Sequence, residues 1–292
     1  MDTILPMNLD SVTAPLNEDE RHTAATALES GQVIYLPQLP FALALEERSF
    51  LAPEFADPKA KNISFNPNNG KLKGVVGNPA TQQIFQAMLQ RYAKWSHTLV
   101  TNLFPHYQLA LEIGRTSLRP VEIKDRPSSY RKDDTRLHVD AFPSTPNQGR
   151  RILRVFCNVN PDGKARVWRL GEPFPTVAKQ FLPRLRPPIR GSATLLKLAK
   201  LTKGYRTTYD HYMLQLHDNM KADMQYQQNA AQTEMLFLPG TTWLVFTDSV
   251  SHAAMSGQHL LEQTFYLPVS AMQYPQQSPL RVLEKLFNQP LI

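Results

Sequence analysis

The chain has 292 residues, of which 42% are hydrophobic and 20% are charged, a composition typical of a soluble globular protein with a substantial core. The single cysteine, Cys157, excludes an internal disulfide and a cysteine-based zinc cluster. Because no basic flank precedes an apolar run in residues 1–30, and no run of about 18 apolar residues occurs, the sequence predicts neither a signal peptide nor a membrane span and indicates a cytoplasmic protein.

The formal net charge of +7 comes from one part of the chain. No acidic residue lies between Glu172 and Asp210, and the cations of this segment outnumber the net charge of the whole protein. They are Lys179, Arg184, Arg186, Arg190, Lys197, Lys200, Lys203 and Arg206. Basicity that is confined to one segment indicates a surface that meets an anionic partner.

Helices and a strand are predicted at the start of the chain. Asn17 and Glu20 have the spacing of a capping box, and a glycine follows at position 31, so a helix is predicted over 17–30. The β-branched and aromatic run at 32–37 predicts a strand, and residues 42–51 predict a short helix.

A hairpin and the longest helix follow. Asn69-Gly70, between two short apolar runs in 62–76, predicts a tight hairpin turn. Apolar residues recur at helical spacing over 81–103, which predicts a long helix ending before Pro105. Residues 107–123 are then strand-like.

Strands dominate the rest of the chain, apart from one helical segment. Residues 152–159 and 165–170, joined by a Pro-Asp-Gly turn, together predict a β-hairpin. Residues 175–229 predict helices that are basic and Leu-rich at first and then Gln- and Met-rich. Four strands and a short amphipathic helix over 279–289 complete the chain; the strands contain EMLFLP, TTWLVF, SHAAM and LLEQTFYLP.

This order of elements predicts the fold class. Many short strands separated by turns, without the strand–helix alternation of a parallel sheet, indicate an α+β protein with a mainly β core. We expect a double-stranded β-helix, that is, a cupin-like jelly roll, preceded by N-terminal helices. Residues 1–292 are expected to form a single domain, with 175–229 as a basic helical insertion.

Residues 136–144, RLHVDAFPS, carry the first candidate metal ligands. His138 and Asp140 lie two apart at the end of a presumed strand, so both side chains project to one face. An imidazole and a carboxylate are two members of the facial triad that holds non-haem Fe(II). A jelly roll brings distant strands together at its mouth, and His252 follows the strand TTWLVF at the position that this fold requires.

The other histidines are rival candidates for the third ligand. For His22, His97 and His106, a solvated or hydrogen-bonded role is favoured, and His259 is expected to be exposed in a turn. His211 and His217 lie six apart on a predicted helix and do not share a face, so at most one of them reaches the site.

An Fe(II) site of this kind commonly uses a 2-oxoacid cosubstrate, whose far carboxylate needs a cation such as arginine. The candidates near the motif are Arg119, Arg151, Arg154 and Arg166. Trp168 shares a strand face with Arg166, and the alternation in RILRVFCNV puts Arg154 on a core-lining face, where a guanidinium needs an anionic partner. The residue pattern alone leaves the choice among these arginines open.

The sequence resembles the Kdo 3-hydroxylase family over most of its length. The most specific element is H-x-D-x111-H, which His138, Asp140 and His252 match with the spacing intact. The resemblance implies that these three residues bind Fe(II), that Arg119, Arg154, Arg166 and Trp168 bind 2-oxoglutarate, and that His217 is a catalytic residue assisting oxygen activation. No Arg or Lys follows the last ligand within about a dozen residues; Gln263 stands there, which fits a family that binds the cosubstrate from other strands.

The resemblance also implies a reaction and a location. With O2 and 2-oxoglutarate, such an enzyme hydroxylates C3 of 3-deoxy-D-manno-oct-2-ulosonic acid (Kdo) in Kdo-lipid A, a lipopolysaccharide precursor, to give Ko. Such a substrate predicts peripheral association with the cytosolic face of the bacterial inner membrane. The basic, Leu-rich residues 179–206 have a composition suited to an anionic membrane surface.

The sequence is also compatible with two other functions. One is a 2-oxoglutarate oxygenase acting on a free sugar acid or a protein side chain, and the other is a non-enzymatic basic protein that binds anionic membranes. Nucleic acid is not expected as a partner, because few aromatics are interleaved with the cations and no binding motif occurs. The sequence does not indicate an oligomeric state.

Overall fold

Two β-sheets and a set of surrounding helices make up the computed structural model, which describes residues 3–60, 62–123 and 129–292. The strands of these described residues are β1 Ile4–Pro6, β2 Val33–Leu36, β3 Ile63–Asn66, β4 Lys71–Lys73, β5 Glu112–Arg119, β6 Arg151–Asn158, β7 Arg166–Leu170, β8 Thr233–Phe237, β9 Thr242–Phe246, β10 His252–Ser256 and β11 Leu260–Leu267. The helices are α1 Glu18–Glu29, α2 Leu45–Arg48, α3 Pro79–Leu103, α4 Phe174–Phe181, α5 Ser192–Leu198, α6 Thr208–Ala222, α7 Met224–Asn229 and α8 Pro279–Phe287.

The large sheet has the strand order β1-β2-β9-β6-β11-β5-β3-β4, and the small sheet has the order β10-β7-β8. The neighbouring strands are antiparallel except for β1 and β2, which are parallel. The expected α+β class with a large β core is therefore confirmed. The short strand β1 was not predicted, because the sequence there is too short and mixed to give a periodic signal.

The two faces of the large sheet have different partners. Leu153, Leu244 and Phe265 on one face pack with α1, α3, α4, α6 and α8 in the largest apolar cluster. Residues of the opposite face pack against the small sheet, where Trp243 stacks on Phe237 with ring centroids 3.9 Å apart. Side chains on this inner face therefore point into the space between the sheets.

Local sequence signals account for the starts of α1 and α3 and for the turn between β3 and β4. Asn17 and Glu20 form both hydrogen bonds of the capping box that begins α1. Asn78 caps α3 and Pro79 occupies its first turn, so this helix begins two residues earlier than the apolar periodicity indicates. Asn69-Gly70 forms the turn between β3 and β4, with Gly70 at φ 67°, as expected.

Two local predictions are wrong. β6 and β7 do not form a hairpin: β6 lies between β9 and β11 in the large sheet, and β7 lies between β10 and β8 in the small one. The Pro-Asp-Gly turn carries the chain from one sheet to the other, because both edges of β6 are occupied by strands from the C-terminal part of the chain. Nor do residues 136–144 form a strand; His138 makes one isolated bridge with His252.

The segment 175–229 is helical, as predicted, and contains α5, α6 and α7 and most of α4. Its apolar residues divide into two groups. Phe181 and Leu185 are buried, whereas Ile189, Leu195 and Leu198 have 82%, 68% and 74% of their surface exposed. Among the described helices, none is long and apolar enough to cross a membrane.

Candidate active site

Three short backbone contacts bring the predicted metal ligands together. The amide of His138 donates to the carbonyl of His252 at 3.0 Å, and the reverse bond measures 2.9 Å. The amide of Asp140 donates to the carbonyl of Thr247 at 2.8 Å. All three side chains are buried, and one ligand atom of each lies within 4.8 Å of the others. The triad expected from the sequence is therefore assembled spatially, whereas its role as a metal site remains a prediction.

Both imidazoles are oriented by their own backbone. Nδ1 of His138 lies 2.7 Å from the carbonyl of Arg136, and Nδ1 of His252 lies 2.8 Å from the carbonyl of Val250. In the tautomer that donates these bonds, the lone pair of each Nε2 is free to bind a metal. Burial lowers the pKa of both histidines below the ordinary 6.5, which favours the neutral, metal-binding form.

Asp140 supplies the anionic member of the cluster. Burial would raise the pKa of its carboxyl, but Arg154, His252 and His138 outweigh that effect and hold the pKa well below 3.8. Nη2 of Arg154 lies 2.9 Å from Oδ2 of Asp140, and Oδ1 lies 3.8 Å from Nε2 of His138. Two neutral imidazoles and one carboxylate are a donor set that fits a divalent metal such as Fe(II).

The inner face of the large sheet contributes two of the predicted cosubstrate arginines. Arg154 on β6 also contacts Glu262 on β11, with Nη1 3.0 Å from Oε1. Nε of Arg119 on β5 donates to Oε2 of the same carboxylate at 2.7 Å. Each arginine of this pair therefore already has a carboxylate partner within the protein.

Arg166 and Trp168 come from the inner face of the small sheet. Arg166 is 2% exposed and donates to the carbonyl of Gly257 at 2.6 Å, and no carboxylate of the described residues forms an ion pair with it. Burial and the nearby Arg119 lower the pKa of Arg166 to about 9. Trp168 stacks on His252 with ring centroids 5.0 Å apart. A buried guanidinium that forms no ion pair with a described carboxylate thus lies on the same strand as Trp168, which contacts the candidate ligand His252.

Gly257 allows Arg166 to approach the backbone. Its φ is 109°, and a Cβ at this position would lie 3.0 Å from both Cα and Cδ of Arg166. A side chain there would therefore displace the arginine.

Of the two histidines on α6, His217 faces the site. Its ring is 5.3 Å from that of His138, whereas His211 contacts the carbonyl of Arg186 at 3.1 Å. Nδ1 of His217 lies 3.0 Å from Oδ1 of Asp218, which orients the ring. His259 is only 6% exposed, so its expected exposure is wrong; its backbone carbonyl accepts a bond from Val159 and draws the turn against the sheet.

Two residues of the site were missed. Glu262 is buried between Arg119 and Arg154, and its one signal is a carboxylate within the otherwise apolar run LLEQTFYLP. Lys221 lies four residues after His217 on α6, is 1% exposed and contributes to lowering the pKa of His138. A helical lysine gives no sequence signal that separates it from a surface cation.

Comparisons with known proteins agree with this geometry. The family model for 3-deoxy-D-manno-oct-2-ulosonic acid (Kdo) hydroxylase matches residues 11–290. The structure is similar to that of the Kdo hydroxylase KdoO, a non-heme Fe(II) alphaketoglutarate dependent dioxygenase, in complex with alphaketoglutarate and Fe(III), with 48% identity, a TM-score of 0.96, and coverage of 100% of this chain and 98% of that one.

Two further KdoO structures are similar to this chain to the same degree. The cobalt(II) complex is 49% identical and the apo structure is 48% identical, each with a TM-score of 0.97, and each alignment covers 100% of this chain and 98% of the other. No curated protein sequence matches the chain.

Proposed function

The chain belongs to the Kdo hydroxylase family, and we propose that it is an Fe(II)/2-oxoglutarate-dependent dioxygenase that hydroxylates C3 of Kdo in Kdo-lipid A to give Ko. One observation carries this function beyond family membership. His138, Asp140 and His252 converge within 4.8 Å beside the buried guanidinium groups of Arg154 and Arg166.

We assign Fe(II) to the three converging side chains, and 2-oxoglutarate to Arg119, Arg154, Arg166 and Trp168. When bound, Fe(II), 2-oxoglutarate and O2 supply the oxidising chemistry, in which one oxygen atom is added to the substrate and 2-oxoglutarate is converted to succinate and CO2. Arg154, with Nη2 2.9 Å from Oδ2 of Asp140, would hold this carboxylate in its ionised, metal-binding form. Arg166 is the cation best suited to the far carboxylate of the cosubstrate.

His217 is assigned to the side of the site that α6 covers. Asp218 fixes its ring through Nδ1, so Nε2 is the nitrogen available to hold or donate a proton near the reacting atoms. Asp218 is itself anchored by Nε of Arg131 at 3.0 Å. This arrangement supports the role in oxygen activation that the family resemblance implies.

We further propose that residues 1–292 form one oxygenase domain and that this domain has a jelly-roll fold. The small sheet packs against the inner face of the large sheet, and the candidate ligands lie between the two. This arrangement supports the assignment. Residues 175–229 are assigned as an insertion between the segments that carry the ligands. Their helices α4 and α6 share the main apolar cluster, which supports a single domain.

The same insertion is proposed as the membrane contact. Ile189, Leu195, Leu198 and Leu201 are 64% to 82% exposed, and the cations Arg186, Arg190, Lys197 and Lys200 are exposed among them. Exposed apolar side chains flanked by lysine and arginine suit the interface of an anionic bilayer, where they insert beside the headgroups. The proposed location is the cytosolic face of the bacterial inner membrane, where the lipid substrate is anchored.

Succinate formation tests the function against an oxygenase with another substrate. The protein is supplied with Fe(II), 2-oxoglutarate and O2 together with Kdo-lipid A, free Kdo or no substrate. We expect succinate and a product one oxygen atom heavier with Kdo-lipid A. Equal succinate in all three reactions, without an oxygenated lipid, would contradict the proposed substrate.

A further inference from the structure

Glu262 lies at the centre of the arginine cluster and uses both of its carboxylate oxygens. Oε2 accepts from Nε of Arg119 at 2.7 Å, and Nη2 of Arg119 contacts the same oxygen. Oε1 lies 3.0 Å from Nη1 of Arg154. Within the large sheet, Glu262 stands opposite Ser117 on β5 and Phe156 on β6, so its side chain shares the inner face with both arginines.

This carboxylate is ionised at neutral pH. Burial would raise the pKa of Glu262, but Arg119 and Arg154 outweigh that effect and lower the pKa below the ordinary 4.5. Its side chain is 7% exposed, so water screens the charge weakly.

The three arginines of the pocket differ in their ion pairs. Arg119 pairs with Glu262 and, at 3.8 Å, with Asp134. Arg154 pairs with Asp140 and Glu262. Among the described residues, no carboxylate forms an ion pair with Arg166, which is therefore the guanidinium of the three that is left for an incoming anion.

We propose, on the basis of the function proposed above, that Glu262 is a specificity-determining residue that sets the charge of the cosubstrate pocket. By pairing with Arg119 and with one side of Arg154, it lowers the positive charge that these two arginines present to the cosubstrate and leaves the far carboxylate to Arg166, which has no carboxylate partner among the described residues. A dicarboxylate with one carboxylate directed at the metal then matches the pocket. The same balance keeps the product succinate from binding too tightly to leave.

The substitution Glu262→Gln tests the charge, because it keeps the shape of the side chain and removes its negative charge. One further uncompensated cation in a buried pocket strengthens the binding of any anion. We expect succinate to bind on the order of tenfold more tightly to the variant, and inorganic phosphate to become a measurable ligand. The measurement is isothermal titration calorimetry on Fe(II)-loaded protein without oxygen.

Two further variants separate charge from positioning. Glu262→Asp keeps the charge but is too short to bridge both arginines, so succinate affinity should stay within about twofold of wild type if charge is decisive. Glu112→Gln makes the same chemical change at an exposed position on β5 that pairs with Arg150, and should leave succinate binding unchanged. If Glu262→Gln does not fold, the Glu262→Asp result decides.

The possible failures are distinguishable. Unchanged or weakened succinate binding in Glu262→Gln, or strongly weakened binding in Glu262→Asp, would overturn the charge-setting role alone. If wild-type protein loaded with Fe(II) does not bind 2-oxoglutarate, the proposed function fails and the role of Glu262 fails with it.

Discussion

Arg154 and Arg166 are both buried, but their partners differ. Arg154 is held between Asp140 and Glu262, whereas Arg166 has only a backbone carbonyl among its described hydrogen-bond partners. Arg154 is therefore coupled to the candidate metal ligands, whereas Arg166 is the arginine that we expect to pair with an incoming carboxylate. This difference makes the two arginines separable by substitution.

For Arg166→Ala, we expect the Michaelis constant for 2-oxoglutarate to rise on the order of 10- to 100-fold, because a charge-assisted bond is lost. Affinity for Fe(II) should not change. Arg154→Ala should weaken the binding of both 2-oxoglutarate and Fe(II), because it also removes the partner of Asp140. Arg169→Ala, three residues after Arg166 and on the opposite face of β7, is the control. Equal 2-oxoglutarate dependence in Arg166→Ala and wild type would rule out the assigned role of Arg166.

His217 lies beside the candidate ligands without being one of them. We expect His217→Ala to lower the turnover number on the order of 100-fold, with little change in Fe(II) or 2-oxoglutarate affinity. Steady-state kinetics and cosubstrate titration separate the two effects. His211→Ala, on the same helix but directed at Arg186, should behave as wild type. A defect of His217→Ala in cosubstrate affinity alone would contradict a role in oxygen activation.

At the residue scale, a site residue is predictable when the residues that identify it lie close to it in the chain. His138 and Asp140 were selected from their i, i+2 spacing, although the strand that this argument assumes is not formed and an isolated bridge between His138 and His252 positions them instead. His252 was selected because the expected fold demands a distant ligand. The choice of arginines needed the family resemblance. Glu262 was not predictable, because its partner Arg119 is 143 positions away and the pairing of β5 with β11 is set by the whole sheet.

At the scale of elements, helices with local caps were predictable and strand pairing was not. The capping box of α1 and the Asn-Gly turn are determined by adjacent residues. The partners of β6 come about 90 to 110 residues later in the chain, so the apparent hairpin with β7 was a wrong pairing of two correctly predicted strands. Periodicity identifies a strand but does not identify its neighbours.

The exposed cations of residues 175–229 allow the proposed membrane contact to be tested. Reversing Arg186, Arg190, Lys197 and Lys200 to Glu should release the protein from vesicles that contain anionic lipid, since each cation near such a surface contributes about 1 kcal/mol. Cosedimentation at low and high salt measures this. Activity on Kdo-lipid A should fall, while 2-oxoglutarate decarboxylation without substrate persists.

The control for this experiment is the same charge change elsewhere. Arg48, Lys71, Lys73 and Lys94 are exposed on other elements, and their reversal to Glu should leave vesicle binding less affected. Equal loss of binding in both variants would indicate a general effect of net charge. Retained binding of the insertion variant at low salt would refute the assigned contact.

At the scale of the molecule, Glu29 ties α1 to distant parts of the chain. Its carboxylate accepts from the hydroxyl of Tyr107 at 2.6 Å and from the backbone amides of Gln273 and Tyr274 at 2.9 and 2.6 Å. Burial would raise the pKa of Glu29, but bonds from His106, Tyr107 and the two amides outweigh it and lower the pKa below 4.5. The ionised form is therefore favoured by folding.

Because the pKa is lower in the folded state, the stability that Glu29 contributes is present above pH 4.5 and is lost as the pH falls through the lowered value. We expect Glu29→Gln to reduce the free energy of unfolding by about 2 kcal/mol at pH 7. Urea denaturation should show the difference shrinking below pH 4.5. Glu234→Gln, at an exposed position on β8, serves as control. A difference that stays constant with pH would contradict this role.

Binding of Fe(II) by single-ligand variants tests the candidate active site most directly. Wild type, His138→Ala, Asp140→Ala and His252→Ala are dialysed against Fe(II) without oxygen, with His211→Ala as a histidine control outside the cluster. We expect the wild type and the control to retain iron, and each ligand variant to bind it on the order of 100-fold more weakly. Circular dichroism verifies that each variant is folded. Wild-type iron affinity in any of the three folded ligand variants would contradict the assigned triad.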